Sequence, residues 1–449
     1  MSEFATERLR FAGPASLPLE ASFDGGRLTS DGGLVWLAEA EAAIGVCAAF
    51  AAALPEWRRP GRVRHPLPVL VSQRVFQIAC GYEDQDDADS LRTDPLLKWV
   101  CGRLPESGAA LASQPTLSRL ENAVDRAACY RLGAALLGTY LRERERPGVP
   151  TRILLDCDGT DDPAHGQQEG VAYHGYFGQH QYLPLLVFDG DTGQLAAAVL
   201  RPGNSHGSRG AVAVLKRLVR AIRARCPGVE IELRADSGFA VPAVYDFCER
   251  EGLAYTVGLV PNPRLEAVAA PLLDEAERQQ RATGAEKVRL VGAAAYAAES
   301  WPHPRRVVYK AEALAKGPNT RFVVTNRPGE PPAVYDRYVD RGEPENRVKD
   351  LKNALRADRL SCHRFWANQF RLLLHAAAYW LLDTLRGWLT RLGADPMQLD
   401  TLRLRLVKIS GRVLQWLARV RLHLASSHPG QPLWALLAAR PNRLVNNPG

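Results

Sequence analysis

The sequence predicts an α/β protein with a mostly β insertion, a helical N-terminal domain and a helical, basic C-terminal region. Three observations predict it. At Thr151 the chain leaves helical spacing for short apolar runs bounded by turn residues. Up to about residue 260 those runs alternate with amphipathic helical segments. Residues 361–449 carry twelve Lys+Arg against three Asp, a local net of +9 in a chain of total charge +8, which leaves the other 360 residues near −1.

Residues 1–150 read as helical. Val69–Gly81 has an apolar face, Leu111–Leu136 places Leu117, Leu120, Tyr130 and Leu132 at helical spacing, and Ser113-Gln-Pro-Thr116 suits a helix start. This region could serve as a packing domain or hold a DNA-binding helix-turn-helix, with no firm signature for the latter. Strands are predicted at Arg152–Leu155, Gln181–Phe188 and Gln194–Leu200, then a helix over Gly210–Cys226. A strand at Val229–Ala235, a helix at Val241–Arg250 and a strand at Leu253–Val260 follow. Three strands, then helix, strand, helix, strand is the order of an RNase H-like core, assigned to 151–260. The insertion, 261–333, opens with a charged helix (Leu265–Ala282) and continues with strands at Lys287–Tyr296, Arg305–Ala311 and Thr320–Asn326. Residues 334–360 return to the core with a helix that Pro344 can begin. A long apolar helix, Phe365–Leu389, and the basic Leu402–Leu424 segment make up the region 361–449.

Apolar content of 46% and charged content of 24% suit a soluble globular protein. No basic stretch followed by an apolar one marks a signal peptide, and the longest apolar run, about Ala42–Leu54, is too short to span a bilayer. The eight cysteines form no C-x-x-C pair and read as buried cytosolic thiols. A basic region favours phosphate backbones, so nucleic acid is the expected partner and a membrane is not.

The most informative pattern is Tyr338, Arg341, Glu345 and Lys352, spaced Y-x2-R-x3-E-x6-K. Two helical turns separate Glu345 from Lys352, so both project from one face. A carboxylate and a phosphate-seeking ammonium would then line one groove. Asp236, in Leu-Arg-Ala-Asp-Ser-Gly, stands where a predicted strand turns at Gly238 and can hold an ion at a sheet's edge. Leu155-Asp-Cys-Asp-Gly-Thr160 offers Asp156 and Asp158, and strand parity cannot choose between them.

These residues resemble the DDE insertion-sequence transposases with the Y-R-E-K signature. Gly81-Tyr-Glu-Asp, Gln114-Pro-Thr, Ser118-Arg-Leu-Glu121, Asp158-Gly-Thr-Asp-Asp-Pro-Ala-His-Gly166, Gly175-Tyr-Phe with Gln179, Tyr182-Leu-Pro-Leu, Arg201-Pro-Gly-Asn204 and Arg419-Val-Arg-Leu-His-Leu-Ala425 point to one branch, the insertion-sequence family numbered thirteen-eighty. The resemblance spans nearly the whole chain. It implies a catalytic and metal-binding triad of Asp158, Asp236 and Glu345, selecting Asp158 because an Asp, a short residue and Thr is the family's pattern. It implies DNA phosphate contacts from Tyr338, Arg341 and Lys352. It further implies two Mg2+ ions, replaceable by Mn2+, that serve cleavage at terminal inverted repeats and strand transfer into target DNA. Two such ions activate a nucleophile and relieve charge on the leaving oxygen. A synaptic homodimer in the bacterial cytoplasm, nucleoid-associated when bound to DNA, completes the expectation. Trp301 is a possible base-stacking residue or simply core, and His165, His174 and His180 read as loop or hydrogen-bonded histidines.

Two rivals share the residues. Leu-Leu-Asp156-Cys-Asp158-Gly-Thr160 matches the opening of haloacid-dehalogenase-type phosphatases, with Asp156 as nucleophile, but no later Gly-Asp-x-x-x-Asp pair follows. The other is a DNA-binding relative that lost the reaction.

Overall fold

A computed structural model describes residues 8–12, 17–340 and 342–441, with the side chains of 342–344 outside that description. The chain divides into two compact units, Met1–Leu120 with Leu381–Gly449, and Glu121–Trp380.

The first unit opens with a small ribbon of β1 (Leu9–Phe11) and β2 (Leu19–Ala21), followed by β3 (Leu28–Thr29). Helices α1 (Leu34–Ile44), α2 (Val46–Ala53), α3 (Leu67–Cys80), α4 (Asp87–Leu91) and α5 (Pro95–Val100) come next, and α6 (Gln114–Ala123) leads out of the unit. Gly45, at φ +65°, ends α1 and starts α2 at a 64° bend. Trp36, Leu37, Phe50, Val75 and Ile78 are buried in the core here. Among the described residues no single helix is long and apolar enough to cross a membrane.

The second unit is built on an eight-stranded sheet. Helix α7 (Arg126–Glu145), capped by the Asp125 carboxylate accepting from Ala128 N, precedes β4 (Arg152–Gly159). A three-stranded side sheet follows: β5 (Asp162–Pro163), β6 (Ala172–His174) and β7 (Gln179–Tyr182). Then come β8 (Leu185–Asp189), β9 (Leu195–Val199), α8 (Ala211–Arg225), β10 (Glu230–Ala235), α9 (Pro242–Arg250) and β11 (Ala254–Leu259). Three strands, helix, strand, helix, strand is the order the sequence predicts. One difference is instructive. The strand expected over Gln181–Phe188 is two strands, β7 and β8, in two sheets. Pro184 has no N–H to give a ladder, so the chain turns there, and Leu183 N and Pro184 O bond Arg201 O and Thr160 N instead.

Helix α10 (Pro263–Thr283) begins on Asn262, whose side chain accepts from Arg264 N and Leu265 N, and ends on Gly284 at φ +64°. The long antiparallel strands β12 (Lys287–Tyr296), β13 (Arg305–Leu314) and β14 (Gly317–Thr325) follow. They do not form a sheet of their own. Strand β14 pairs with β11, giving the sheet order β12-β13-β14-β11-β10-β4-β8-β9. Within it β4, β10 and β11 run parallel, while β8 is antiparallel to β4. The inner strands are buried almost end to end; β8 reads as an apolar run, whereas β10 alternates Glu232 and Arg234 with Ile231 and Leu233 and buries those charges in ion pairs. Helices α11 (Pro331–Val339) and α12 (Gly342–Lys349) lead into a π-turn at Asp350–Ala354.

Helix α13 (Phe365–Arg391) returns the chain to the first unit. Beyond α14 (Leu399–Leu402) and a π-turn at Arg403–Val407 the structure corrects an expectation. The C-terminal region is not wholly helical. Strands β15 (Gly411–Gln415) and β16 (Val420–Leu424) form a ribbon that pairs with β3, before α15 (Gln431–Ala438). Gly411 and Val413 face inward while Arg412 faces out, a period of two. A side chain on Gly411 would stand 3.0 Å from the His423 carbonyl, so glycine permits the close pairing. All eight cysteines are free thiols, seven buried and Cys362 half-buried.

Candidate active site

Strands β4 and β10 are parallel neighbours with Cys157 level with Ala235 and Asp156 level with Arg234. One residue further in the same register, Asp158, the last but one residue of β4, falls beside Asp236, whose extended backbone (φ −77°, ψ −178°) continues β10. The shared register sets both carboxylates on one face at the C-terminal edge of two strands, which lie about 4.8 Å apart in any sheet. Both are half-buried. Asp236 Oδ1 accepts from Gly238 N at 2.9 Å, fixing its rotamer on the turn.

Two residues back the same face is closed. Arg234 Nε and Nη2 donate to Asp156 Oδ1 and Oδ2 at 2.6 and 2.7 Å, with side chains 3% and 1% exposed. Arg234 Nη1 donates to the Arg337 carbonyl at 2.7 Å, and Arg337 pairs with Glu232 on β10, which also holds Arg327 at 2.8 Å. This network clamps α11 across the core strands. The next residue, Tyr338, puts its hydroxyl where a side chain on Gly258 would be, 2.6 Å from that Cβ position. Ser237 N and the Asp236 carbonyl carbon lie 3.1 and 3.4 Å from the same point. Tyr338 therefore reaches the second carboxylate's turn.

Lys352, on the π-turn, is tied down at the opposite end. Its ammonium donates to Asp161 Oδ1 at 2.7 Å and to the Asp161 carbonyl at 3.0 Å. The segment from Arg337 to Lys352 is thus anchored at both ends near the strands that carry Asp158 and Asp236. Glu345 lies between the anchors, exposed on α12. The structure does not draw it into a closed triad: among the described residues no three His, Cys, Asp or Glu side chains converge as a metal-binding group. Arg341 lies outside the described residues. Trp301 is 8% exposed and packs edge-on against Tyr245 and Tyr296 at 5.3 and 5.5 Å, so it is core and presents no open face to a base.

Several supporting residues were not singled out by role from the sequence. Arg201, 5% exposed, donates to the carbonyls of Leu183, Gly207 and Arg209 at 2.8, 2.5 and 3.1 Å. Burial pulls its guanidinium down to about 10, opposed in part by the nearby Asp236 carboxylate. It cross-links the loop whose Gly207 packs on Gly238, beneath Asp236. Asp162 is 1% exposed, and neither carboxylate oxygen has a hydrogen-bond partner. Burial, then the nearby Asp358, pushes its carboxyl well above the usual range. The available signal was parity: Arg234 shares the face of Asp236 and Asp156 that of Asp158, and a charge inside a buried strand needs a partner.

Two half-open carboxylates from adjacent parallel strands, with Tyr338 beside the turn of the second and Lys352 tethered at Asp161, define a candidate site for a cation and a phosphate-bearing substrate. A model of the transposase DDE domain group 1 family matches residues 13–446. The chain belongs to that family and is a DNA transposase. No curated protein matches it. A solved piggyBac transposase synaptic complex with hairpin DNA is similar at 11% identity, covering 85% of this chain and 80% of that one, with a TM-score of 0.43. At that score the likeness is too weak to assign the fold.

Proposed function

We propose that this transposase cleaves DNA at the ends of its element and joins them to target DNA in a divalent-metal-dependent reaction, with Asp158, Asp236 and Glu345 as the catalytic carboxylates. The proposal extends to the Y-R-E-K group, the branch numbered thirteen-eighty, and an RNase H-like core in which the first five major strands lie in the order β9-β8-β4-β10-β11. It keeps the division at 1–150, 151–260, 261–333, 334–360 and 361–449, with action as a homodimer in the bacterial cytoplasm.

One observation carries the reading. Asp158 and Asp236 are level and half-open at the ends of parallel neighbours, whereas Asp156 is spent on Arg234. Two hard oxygen donors on rigid strands fit Mg2+, which is held by one or two carboxylates plus substrate phosphate. When bound, the metal supplies nucleophile activation and charge relief at the scissile phosphodiester. The chain's own groups do the rest. Tyr338 offers a hydroxyl beside Asp236, and Lys352 exchanges Asp161 for a DNA phosphate. Glu345 swings in between the two anchors as DNA docks, with Arg341 adding a further phosphate contact.

The test is cleavage of a duplex carrying the element's terminal repeat. Asp158→Asn, Asp236→Asn and Glu345→Gln each abolish Mg2+-dependent cleavage and leave duplex affinity within a few-fold of wild type. Full activity in any one of them removes that residue from the set. A phosphatase reading needs Asp156 as nucleophile, and a carboxylate 1% exposed with both oxygens bonded to one guanidinium is not available to attack.

A further inference from the structure

We infer that the β6–β7 hairpin is a nucleobase-stacking element serving the active site. The inference rests on the DNA reading above. Strand β6 pairs with β7 from Ala172↔Gln181 to His174↔Gln179, leaving Gly175-Tyr176-Phe177-Gly178 as the turn. Gly178, at φ +68°, takes the left-handed position, and its N–H donates to His174 O at 2.8 Å. On this small frame stand Tyr176, 87% exposed, Tyr173, 57%, and Phe177, 37%. Tyr176 is the most exposed aromatic side chain among the described residues. The rings order one another: Tyr176 meets Phe177 edge-on at 5.0 Å, Phe177 meets His174 at 5.1 Å, and Tyr173 meets His180 at 5.6 Å.

Folding does not account for three large rings held in water, because each leaves apolar area unburied. The occupant they suit has flat π faces and no need of an acidic or aliphatic partner. From Val171 to Tyr182 there is no Asp or Glu, and the polar groups are Gln and His, which can donate or accept at a base edge. Every nucleobase has a face that stacks on an aromatic ring.

The base of the hairpin points to where the stacking is used. Strand β7 pairs with β5, at Asp162↔Tyr182, four residues beyond Asp158. Gln179 donates to Asp161 Oδ2 at 3.2 Å while Lys352 holds Asp161 Oδ1 at 2.7 Å. One carboxylate thus couples the aromatic hairpin to the phosphate-seeking lysine. A DNA end whose phosphate engages Lys352 has its terminal bases beside the hairpin, and the rings capture them once they leave the duplex stack.

The experiment uses the full-length protein and a terminal-repeat duplex bearing 2-aminopurine at each of its three outermost positions in turn. Wild type with Mg2+ changes the fluorescence at one of these positions and cleaves. Tyr176→Ala/Phe177→Ala, altered only at exposed rings, loses that change and cleaves about 10-fold or more slowly, with duplex affinity by anisotropy within a few-fold of wild type. Tyr176→Trp restores both signals in a Phe177 background. Wild-type fluorescence and cleavage in the double alanine variant overturn the inference and leave the transposase reading intact, as does a shift from dimer to monomer with unchanged fluorescence, which assigns the rings to a protein contact. Failure of wild type to bind and cleave the duplex overturns both.

Discussion

Asp156 and Asp158 stand two residues apart on one face of β4, and burial gives them opposite chemistry. Asp156 is inside, where an unpaired charge is costly, and Arg234 neutralises it with two bonds. Asp158 is at the rim, where a cation and water can reach it. Strand parity treats the pair alike and only the resemblance favoured Asp158; the cross-strand partner Arg234 supplies the physical distinction. Asp162 is buried on the short strand β5, although Asp-Pro is a sequence that suits an exposed turn. Its buried carboxyl lacks hydrogen-bond partners, and burial, then Asp358, pushes it well above the usual carboxylate range. Its folded value is therefore raised above the unfolded one. Below the unfolded carboxylate range both states carry the proton and Asp162 is neutral to stability. As pH rises through the unfolded value the unfolded chain ionises first, and stability falls until the raised folded value is passed. Asp162→Asn, which cannot ionise, is expected to raise the melting temperature, with a wider gap over wild type at pH 8 than at pH 4. An equal gap at both would show that the carboxyl is not titrating differently in the two states.

The elements that position the site are tied by charges across strands as much as by apolar packing. Glu232, Arg234 and Asp156 join β10, β4 and α11, and the same helix carries Tyr338. Regular periodicity made the strands and helices of the core legible: β12 and α10 fall within two residues of expectation, because long segments carry the clearest pattern. What was not legible depended on single residues or distant partners. Pro184 splits one apolar run between two sheets, and β15 was concealed in a basic segment because its partner, β3, lies near the other end of the sequence. Likewise, a predicted strand end nominated Asp236 and the resemblance selected Asp158, but the Arg234 clamp and the Arg201 cross-link are tertiary facts. The clamp can be tested as an element. Arg234→Met leaves Asp156 buried without its partner and is expected to cost about 3–5 kcal/mol. Asp156→Leu/Arg234→Met removes both charges and recovers most of that loss. Urea denaturation followed by tryptophan fluorescence reads the order. If the double variant is no more stable than the single one, the cost comes from lost packing rather than from an orphaned charge.

At the scale of the whole molecule the net charge of +8 overstates what is available to DNA in one place and conceals it in another. Of the twelve cations in residues 361–449, Lys408, Arg371 and Arg440 pair with Asp31, Glu121 and Glu39, which lie outside that segment. Their charge supports the fold. Lys352, in contrast, belongs to a stretch of no notable net charge and sits at the candidate site, held by an Asp161 that is itself part-exposed, at 28%. Such a pair near the surface is worth about 0–1 kcal/mol, so a DNA phosphate can displace it. Each phosphate neutralised by a protein cation adds about 0.9 to the slope of log affinity against log salt. Lys352→Ala is therefore expected to weaken binding to the terminal-repeat duplex and to flatten that slope by about 1. Asp161→Asn, which frees the ammonium, tightens binding at low salt while keeping the wild-type slope. Filter binding between 50 and 300 mM KCl separates the cases. An unchanged slope and affinity in Lys352→Ala would show that the lysine stays on Asp161 in the complex, as a strut between the π-turn and the connection that follows β4 rather than a hand on the DNA.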